Sequence, residues 1–101
     1  MWVIAMFDLP TDTPAARKAY ASFRKSLLED GFTMMQYSVY MRHCASIENA
    51  EVHMARMGAL TPAAGEVRFM IITDRQFGRT KVFIGKKRAA MPPPPAQLEL
   101  F

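Results

Sequence analysis

The chain has 101 residues, half of them hydrophobic, and a net charge of +4 from 13 Lys and Arg against 9 Asp and Glu. That is one domain's worth, enough for one modest core and too apolar for a disordered chain. The basic balance favours anionic partners, nucleic acid first.

The first element is Trp2-Val3-Ile4-Ala5-Met6-Phe7-Asp8, followed by Leu9-Pro10. A continuous apolar run rich in aromatic and β-branched residues reads as a strand buried on both faces. Pro10 cannot donate to a sheet ladder, so the strand should end near Asp8. Asp8 then stands at the C-terminal lip of a central strand, where a carboxylate needs a function or a partner. The run has no basic region before it and is too short for a signal peptide or a membrane span. A cytoplasmic protein with no membrane partner is expected, in a reducing compartment, since Cys44 is the only cysteine.

Thr13 and Pro14 suit the N-cap and first position of a helix over 14–30, stopped by Gly31. Ala16, Ala19, Tyr20, Phe23 and Leu27 form its apolar stripe, and Arg17, Lys18, Arg24 and Lys25 a basic ridge on the other side. Residues 32–42 read as one strand. Met35, Tyr37, Val39 and Met41 would share an apolar face, with Gln36, Ser38, Tyr40 and Arg42 on a largely polar one. Ser46 caps a second helix over 47–59, with Ile47, Ala50, Met54 and Met57 inward and Gly58 and Pro62 at its end. Residues 66–74 are the second strongly apolar strand and also end in a carboxylate, Asp74. A loop over 75–80 and a short strand over 81–84 follow. Beyond lie Lys86-Lys87-Arg88, a stiff rod of prolines from Pro92 to Pro95, and an apolar tail, Leu98-Glu99-Leu100-Phe101.

This order is read as β-α-β-β-α-β, the ferredoxin-like α+β fold, with both helices on one face of an antiparallel sheet and an added C-terminal tail strand. The expected division is a domain over 1–85, a basic then Pro-rich linker over 86–97, and the tail strand over 98–101. The first and third strands are central in such a sheet, and the runs 2–8 and 66–74 are assigned to those places. The second sheet face has no cover. Trp2, Ile4 and Met6 share one face with Asp8, while Val3, Ala5 and Phe7 share the other, and both sets are apolar. A second copy packed sheet to sheet, a two-fold homodimer, would supply the missing cover.

A lone carboxylate holds Mg²⁺ weakly, because the ion keeps several waters and uses one or two carboxylates. In a sheet-to-sheet dimer the two Asp8 residues could share one ion, which would polarise a phosphoryl oxygen or activate a water. The alternative is that Asp8 accepts hydrogen bonds from loop amides around Thr11 to Thr13. Asp12 and Asp74 are candidate supporting acids. His43, Cys44 and His53 match no zinc-site spacing. The basic ridge, with Arg42, Arg75, Arg79 and Lys81, offers phosphate contacts or is a solvated face. With no Gly-rich phosphate loop and no base-reading motif, any binding should be to backbone and shape. The strand around Tyr40 does not read as an aromatic stacking platform, and 65–69 lacks the aromatic pattern of RNA-recognition modules.

Several stretches together resemble the CRISPR-associated Cas-two proteins. They are Met6-Phe7-Asp8-Leu9-Pro10, Arg17-Lys18 with Tyr20, Phe23-Arg24-Lys25, Gly31-Phe32, Gln36-Tyr37-Ser38-Val39-Tyr40 with Arg42, and Thr73-Asp74-Arg75-Gln76-Phe77. The last of these and the Gln-Leu-Glu-Leu-Phe ending look most like the subgroup beside RNA-guided DNA-cutting effectors. The resemblance implies a ferredoxin-like homodimer in CRISPR adaptation. It would lie along double-stranded DNA, hold its backbone, and bridge dimers of the CRISPR integrase, the Cas-one protein, for spacer acquisition. It also implies a metal-dependent endonuclease of RNA or DNA, with Asp8 as the Mg²⁺-binding and catalytic residue. The nucleic-acid contacts would fall to Arg17, Lys18, Arg24, Lys25, Arg42, Arg75 and Arg79. Leu98, Leu100 and Phe101 would dock on the dimer partner or the integrase. The competing readings are a stand-alone toxin-type RNase and a ferredoxin-like regulatory binding domain.

Overall fold

The computed structural model describes residues 1–85 as β1 (Trp2–Asp8), α1 (Pro14–Glu29), β2 (Thr33–Gln36), β3 (Val39–His43), α2 (Ile47–Gly58), β4 (Glu66–Ile72) and α3 (Asp74–Gly78). The expected linker over 86–97 and tail over 98–101 lie outside the described residues. The sheet order is β2-β3-β1-β4 with every neighbouring pair antiparallel. That is the ferredoxin-like arrangement expected of the chain.

The helix ends follow their local signals. Thr13 Oγ1 accepts from the Ala16 amide at 3.0 Å, and Pro14 opens α1, where its missing N–H costs nothing. At the other end Gly31 takes φ 91°. The Phe32 amide then reaches Leu27 O at 3.0 Å and the Gly31 amide reaches Leu28 O at 3.1 Å, a Schellman closure of the last turn. Ser46 caps α2 in the same way as Thr13, accepting from the Asn49 amide at 3.1 Å.

The core lies between the sheet and the helices α1 and α2. Val3, Ala5 and Phe7 of β1 meet Phe23 and Leu27 of α1, Tyr40 of β3, and Ala50 and Met57 of α2. Phe7 is its hub, with ring centroids 5.3 Å from Phe23, 5.6 Å from Tyr20 and 5.6 Å from Tyr40.

Five expectations need correction. Residues 32–42 are a hairpin, not one strand. β2 and β3 pair antiparallel across the loop Tyr37-Ser38, with a register irregularity between Met34 and Gln36. Side-chain alternation counted through that loop put Tyr40 on a polar face, whereas Tyr40 is buried in the core. Consequently β3, not the 66–74 run, is the second central strand, and β4 is an edge. Residues 81–84 form no strand, so the β-α-β-β-α-β order comes from the hairpin. In addition, the loop after Ile72 contains a short helix, α3, closed by a reciprocal capping box between Thr73 and Gln76.

The second sheet face carries rows set by the register. Ile4 stands between Met41 and Met70, Met6 between Val39 and Arg68, Trp2 between His43 and Ile72, and Asp8 beside Glu66. Neither α1 nor α2 lies on this face, because directly opposed residues share a face and the core takes the alternate set.

Candidate nucleic-acid and metal site

Asp8 is the last residue of β1 and is exposed. Its carboxylate has no hydrogen-bond partner among the described residues. The alternative, that amides of Thr11 to Thr13 donate to it, is not seen among the described residues; in that loop Thr13 Oγ1 caps α1 and Thr11 O accepts from Arg17 at 3.1 Å. Across the β1–β4 ladder its direct partner is Glu66. Glu66 Oε1 accepts from Arg68 Nε at 3.1 Å, so Glu66 has a counter-ion and Asp8 has none among the described residues. The strand end is fixed by Gly65, whose φ is 94° and where a Cβ would stand 2.6 Å from Asp8 O. Any side chain there would push β4 off the end of β1.

A metal fits this place only in part. Two hard oxygen donors suit Mg²⁺. Yet among the described residues no group of three or more metal-ligating side chains converges. The described residues of one chain therefore offer Asp8 and Glu66 and no third ligand.

Asp74, expected at the end of a strand, instead opens α3 and is at the wrong end of the sheet to assist. Ile72 pairs with Trp2, at the opposite end of β1 from Asp8. Asp74 Oδ1 accepts from the N-terminal amine at 2.6 Å and lies 3.2 Å from His43 Nε2. The bond from the N-terminal amine holds the Asp74 carboxyl below its ordinary value, and the nearby charges of that amine and His43 act in the same direction against partial desolvation. Trp2 stacks on Phe77 of α3 at 4.1 Å and meets His43 edge-on, so the Thr-Asp-Arg-Gln-Phe stretch packs against the start of the first strand. Asp12 is exposed in the loop before α1.

The basic residues do not form one surface. Arg17, Lys18, Arg24 and Lys25 are all exposed on α1. Arg24 also donates from Nε to the Tyr40 hydroxyl at 2.6 Å, and Lys25 lies 3.8 Å from Glu29. Arg75 and Arg79 sit on α3 and its C-cap, at the Trp2 end of the sheet. Arg42 is withdrawn: its guanidinium donates to Asp30 O at 2.8 Å and His43 O at 2.7 Å, complementing the C-terminus of α1. Arg17→Glu with Lys18→Glu should therefore weaken duplex binding and flatten its salt dependence, the slope falling by about 1 for each phosphate no longer neutralised. Fluorescence anisotropy across a salt series reads this, and an unchanged slope removes α1 from the interface.

The hairpin loop lies beside Asp8. The Phe7 amide donates to Ser38 O at 3.0 Å, which extends the β1–β3 pairing to the loop. Ser38 holds φ 60°, a left-handed conformation that costs a non-glycine residue about 1 kcal/mol or more. Its Oγ is 2.7 Å from the Tyr20 hydroxyl. Burial pushes the Tyr20 phenol above its ordinary value, with the neighbouring Tyr37 adding to the shift and the Ser38 bond opposing it.

Comparison with known proteins assigns the chain. The family model described as CRISPR associated protein Cas2 matches residues 1–80. A CRISPR-associated endoribonuclease Cas2 of Parvibaculum lavamentivorans is 77% identical over 101 residues, all of both chains. Another, from Flavobacterium psychrophilum, is 50% identical over all of this chain and 88% of its own length. The chain belongs to the Cas2 family. A crystal structure of Streptococcus pyogenes Cas2 at pH 6.5 superposes with a TM-score of 0.61, covering 82% of this chain and 99% of that one at 21% identity. This Cas2 chain therefore shares its fold with a solved member.

Of two further features of the Cas2 chain, one had no reading in the sequence and the other was assigned to an apolar strand face. Asp30, the C-cap of α1, is a buried carboxylate that accepts from Arg56 Nη1 at 2.7 Å and stands 2.7 Å from His53 Nδ1. His53 thus faces the core end of α2 to lock the two helices together. The other is the exposed Tyr37 of the hairpin loop. No helix among the described residues is long and apolar enough to cross a membrane.

Proposed function

We propose that the chain works as a homodimer in CRISPR adaptation. In this reading it holds the backbone of double-stranded DNA, bridges dimers of the CRISPR integrase, and hydrolyses phosphodiesters of single-stranded RNA or of DNA with Mg²⁺. The observation that carries the reading is the second sheet face, an apolar row of side chains beside a strand-end carboxylate that has no partner among the described residues. Ile4, Met41 and Met70 form one row of it; Ile4 and Met41 are already buried within the chain, and Met70 at the β4 edge is 47% exposed. A face of that kind suits a copy of itself across a two-fold axis.

A second copy would also complete a metal site. Asp8 and the same residue of the second copy would then hold Mg²⁺. The ion would supply Lewis-acid polarisation of a phosphoryl oxygen and a nucleophilic water at neutral pH. The protein's own part is to fix Asp8 at a rigid strand end through Gly65 and the β1–β4 ladder. The α1 cations hold the flanking phosphates. The exposed segment Val82-Phe83-Ile84, with Phe83 89% exposed, supports the same assembly. A β-branched and aromatic stretch following an edge strand is suited to pairing with a second copy. The relatives' name, endoribonuclease, supports an RNA-cleaving activity.

Sedimentation of the purified chain, with cleavage of labelled single-stranded RNA and duplex DNA in Mg²⁺ and in excess chelator, tests this. The expected result is a dimer whose cleavage stops with chelator and returns with Mg²⁺. Cleavage that persists in chelator would remove the metal from the mechanism. A monomer that cleaves would remove the shared site.

A further inference from the structure

The hairpin loop presents an aromatic ring that neither the core nor the proposed metal site uses. Tyr37 is 74% exposed, although its ring is stacked on Tyr20 with centroids 5.9 Å apart and planes 19° from parallel. Tyr20 is fixed in turn by the 2.7 Å contact with Ser38 Oγ and by its edge-on packing on Phe7. Tyr37 is thus a supported ring with surface left for a ligand, unlike a scattered surface tyrosine.

Its surroundings have a repeat. Arg17 precedes Tyr20 by three residues and Arg24 follows it by four, so both flank the tyrosine on one helix stripe. Ser38 O accepts from the Phe7 amide, which brings the loop alongside the end of β1 that carries Asp8. A π face with cations one helical turn to either side matches a nucleic-acid strand, one base and its flanking phosphates. Aromatic stacking with basic residues along the backbone is the general means of holding unpaired strands. A fully paired duplex offers no base face at its flank, so the tyrosine adds nothing there.

We propose that Tyr37, backed by Tyr20, is a stacking platform for an unpaired base, so that the Asp8 end of the sheet takes a single-stranded segment of DNA or RNA. This rests on the reading above that the chain binds nucleic acid. It goes beyond it by assigning a residue and a strand preference.

The test uses three probes of one sequence carrying 2-aminopurine: single-stranded DNA, single-stranded RNA and a blunt DNA duplex. The full chain, Tyr37→Ala and Tyr37→Phe are compared for affinity and for quenching of the probe base. Tyr37→Ala should lose about tenfold in affinity for the single strands and lose the quenching, while duplex affinity stays within about twofold. Tyr37→Phe should keep both, because the ring and not the hydroxyl makes the contact. Similar dependence in the DNA and RNA arms supports stacking on the base; dependence in one arm alone assigns the platform to that strand. Losses of equal size on duplex and single strands, or no loss on either, overturn the platform and leave backbone binding standing. Failure of the unmodified chain to bind any probe overturns the nucleic-acid reading and the platform with it.

Discussion

Asp8→Ala should slow the proposed Mg²⁺-dependent cleavage by about 10²–10³-fold and, in the same molecule, raise the melting temperature. The two effects have one cause. Asp8 sits directly opposite Glu66 in the β1–β4 ladder, and its carboxylate has no counter-ion among the described residues. Like charges facing each other across a ladder are destabilising. Removing one relieves that repulsion and leaves Glu66 to Arg68. Nothing in the core is lost, since the side chain is exposed. The activity change is far larger. A metal that polarises a phosphoryl oxygen stabilises the transition state by several kcal/mol, so losing its ligand should cost about 10²–10³-fold in rate. Cleavage assays and thermal melts on the same preparations check both halves. Residual cleavage within about tenfold of the unmodified chain would place the metal elsewhere. Spacer acquisition measured alongside separates the roles. Acquisition that survives the loss of cleavage means the chain serves the integrase by holding DNA.

The readable parts of the chain were those with local signals. Pro10 ends β1, Thr13-Pro14 starts α1 and Gly31 stops it, and each signal acts within a few residues of itself. Asp8 was legible for the same reason, a carboxylate at the end of an apolar run. The hairpin was not, because its loop is Tyr37-Ser38 with no Gly, Asn, Asp or Pro at the turn. The left-handed residue is Ser38, which the Tyr20 contact and the Phe7 amide hold in place from elsewhere in the fold. Missing that turn carried the alternation past its true end. It hid Tyr40 in a polar face, placed Tyr37 in an apolar one, and promoted residues 66–74 to the sheet centre. Glu66 beside Asp8 needs the register, and the Asp30–His53 contact joins residues 23 apart in sequence. Neither can be read from spacing. The helix α3 is a different case. Its Thr73 and Gln76 are a capping-box pair in plain sequence, so that signal was present and local.

Met70→Asp should dissolve the dimer without unfolding the chain. Met70 lies on edge strand β4, on the sheet face away from the core, opposite Ile4. It is 47% exposed within one chain, so an aspartate there keeps access to water and the fold keeps its core. Packed against a second copy, the same aspartate would be desolvated among apolar side chains, twice per dimer by symmetry. An uncompensated buried charge costs several kcal/mol, which corresponds to a rise of about 10²-fold or more in the dissociation constant. In the proposed reading each copy holds half of a shared metal site, so cleavage should fall with dimerisation. Raising the protein concentration should restore both together. Asp8→Ala should do the opposite and stay dimeric while inactive, so the pair separates assembly from chemistry. Met70→Leu, which keeps the apolar volume, should change neither. A Met70→Asp chain that remains dimeric at micromolar concentration would show that this face is not the interface. Full cleavage by a monomeric Met70→Asp chain would show that one Asp8 suffices.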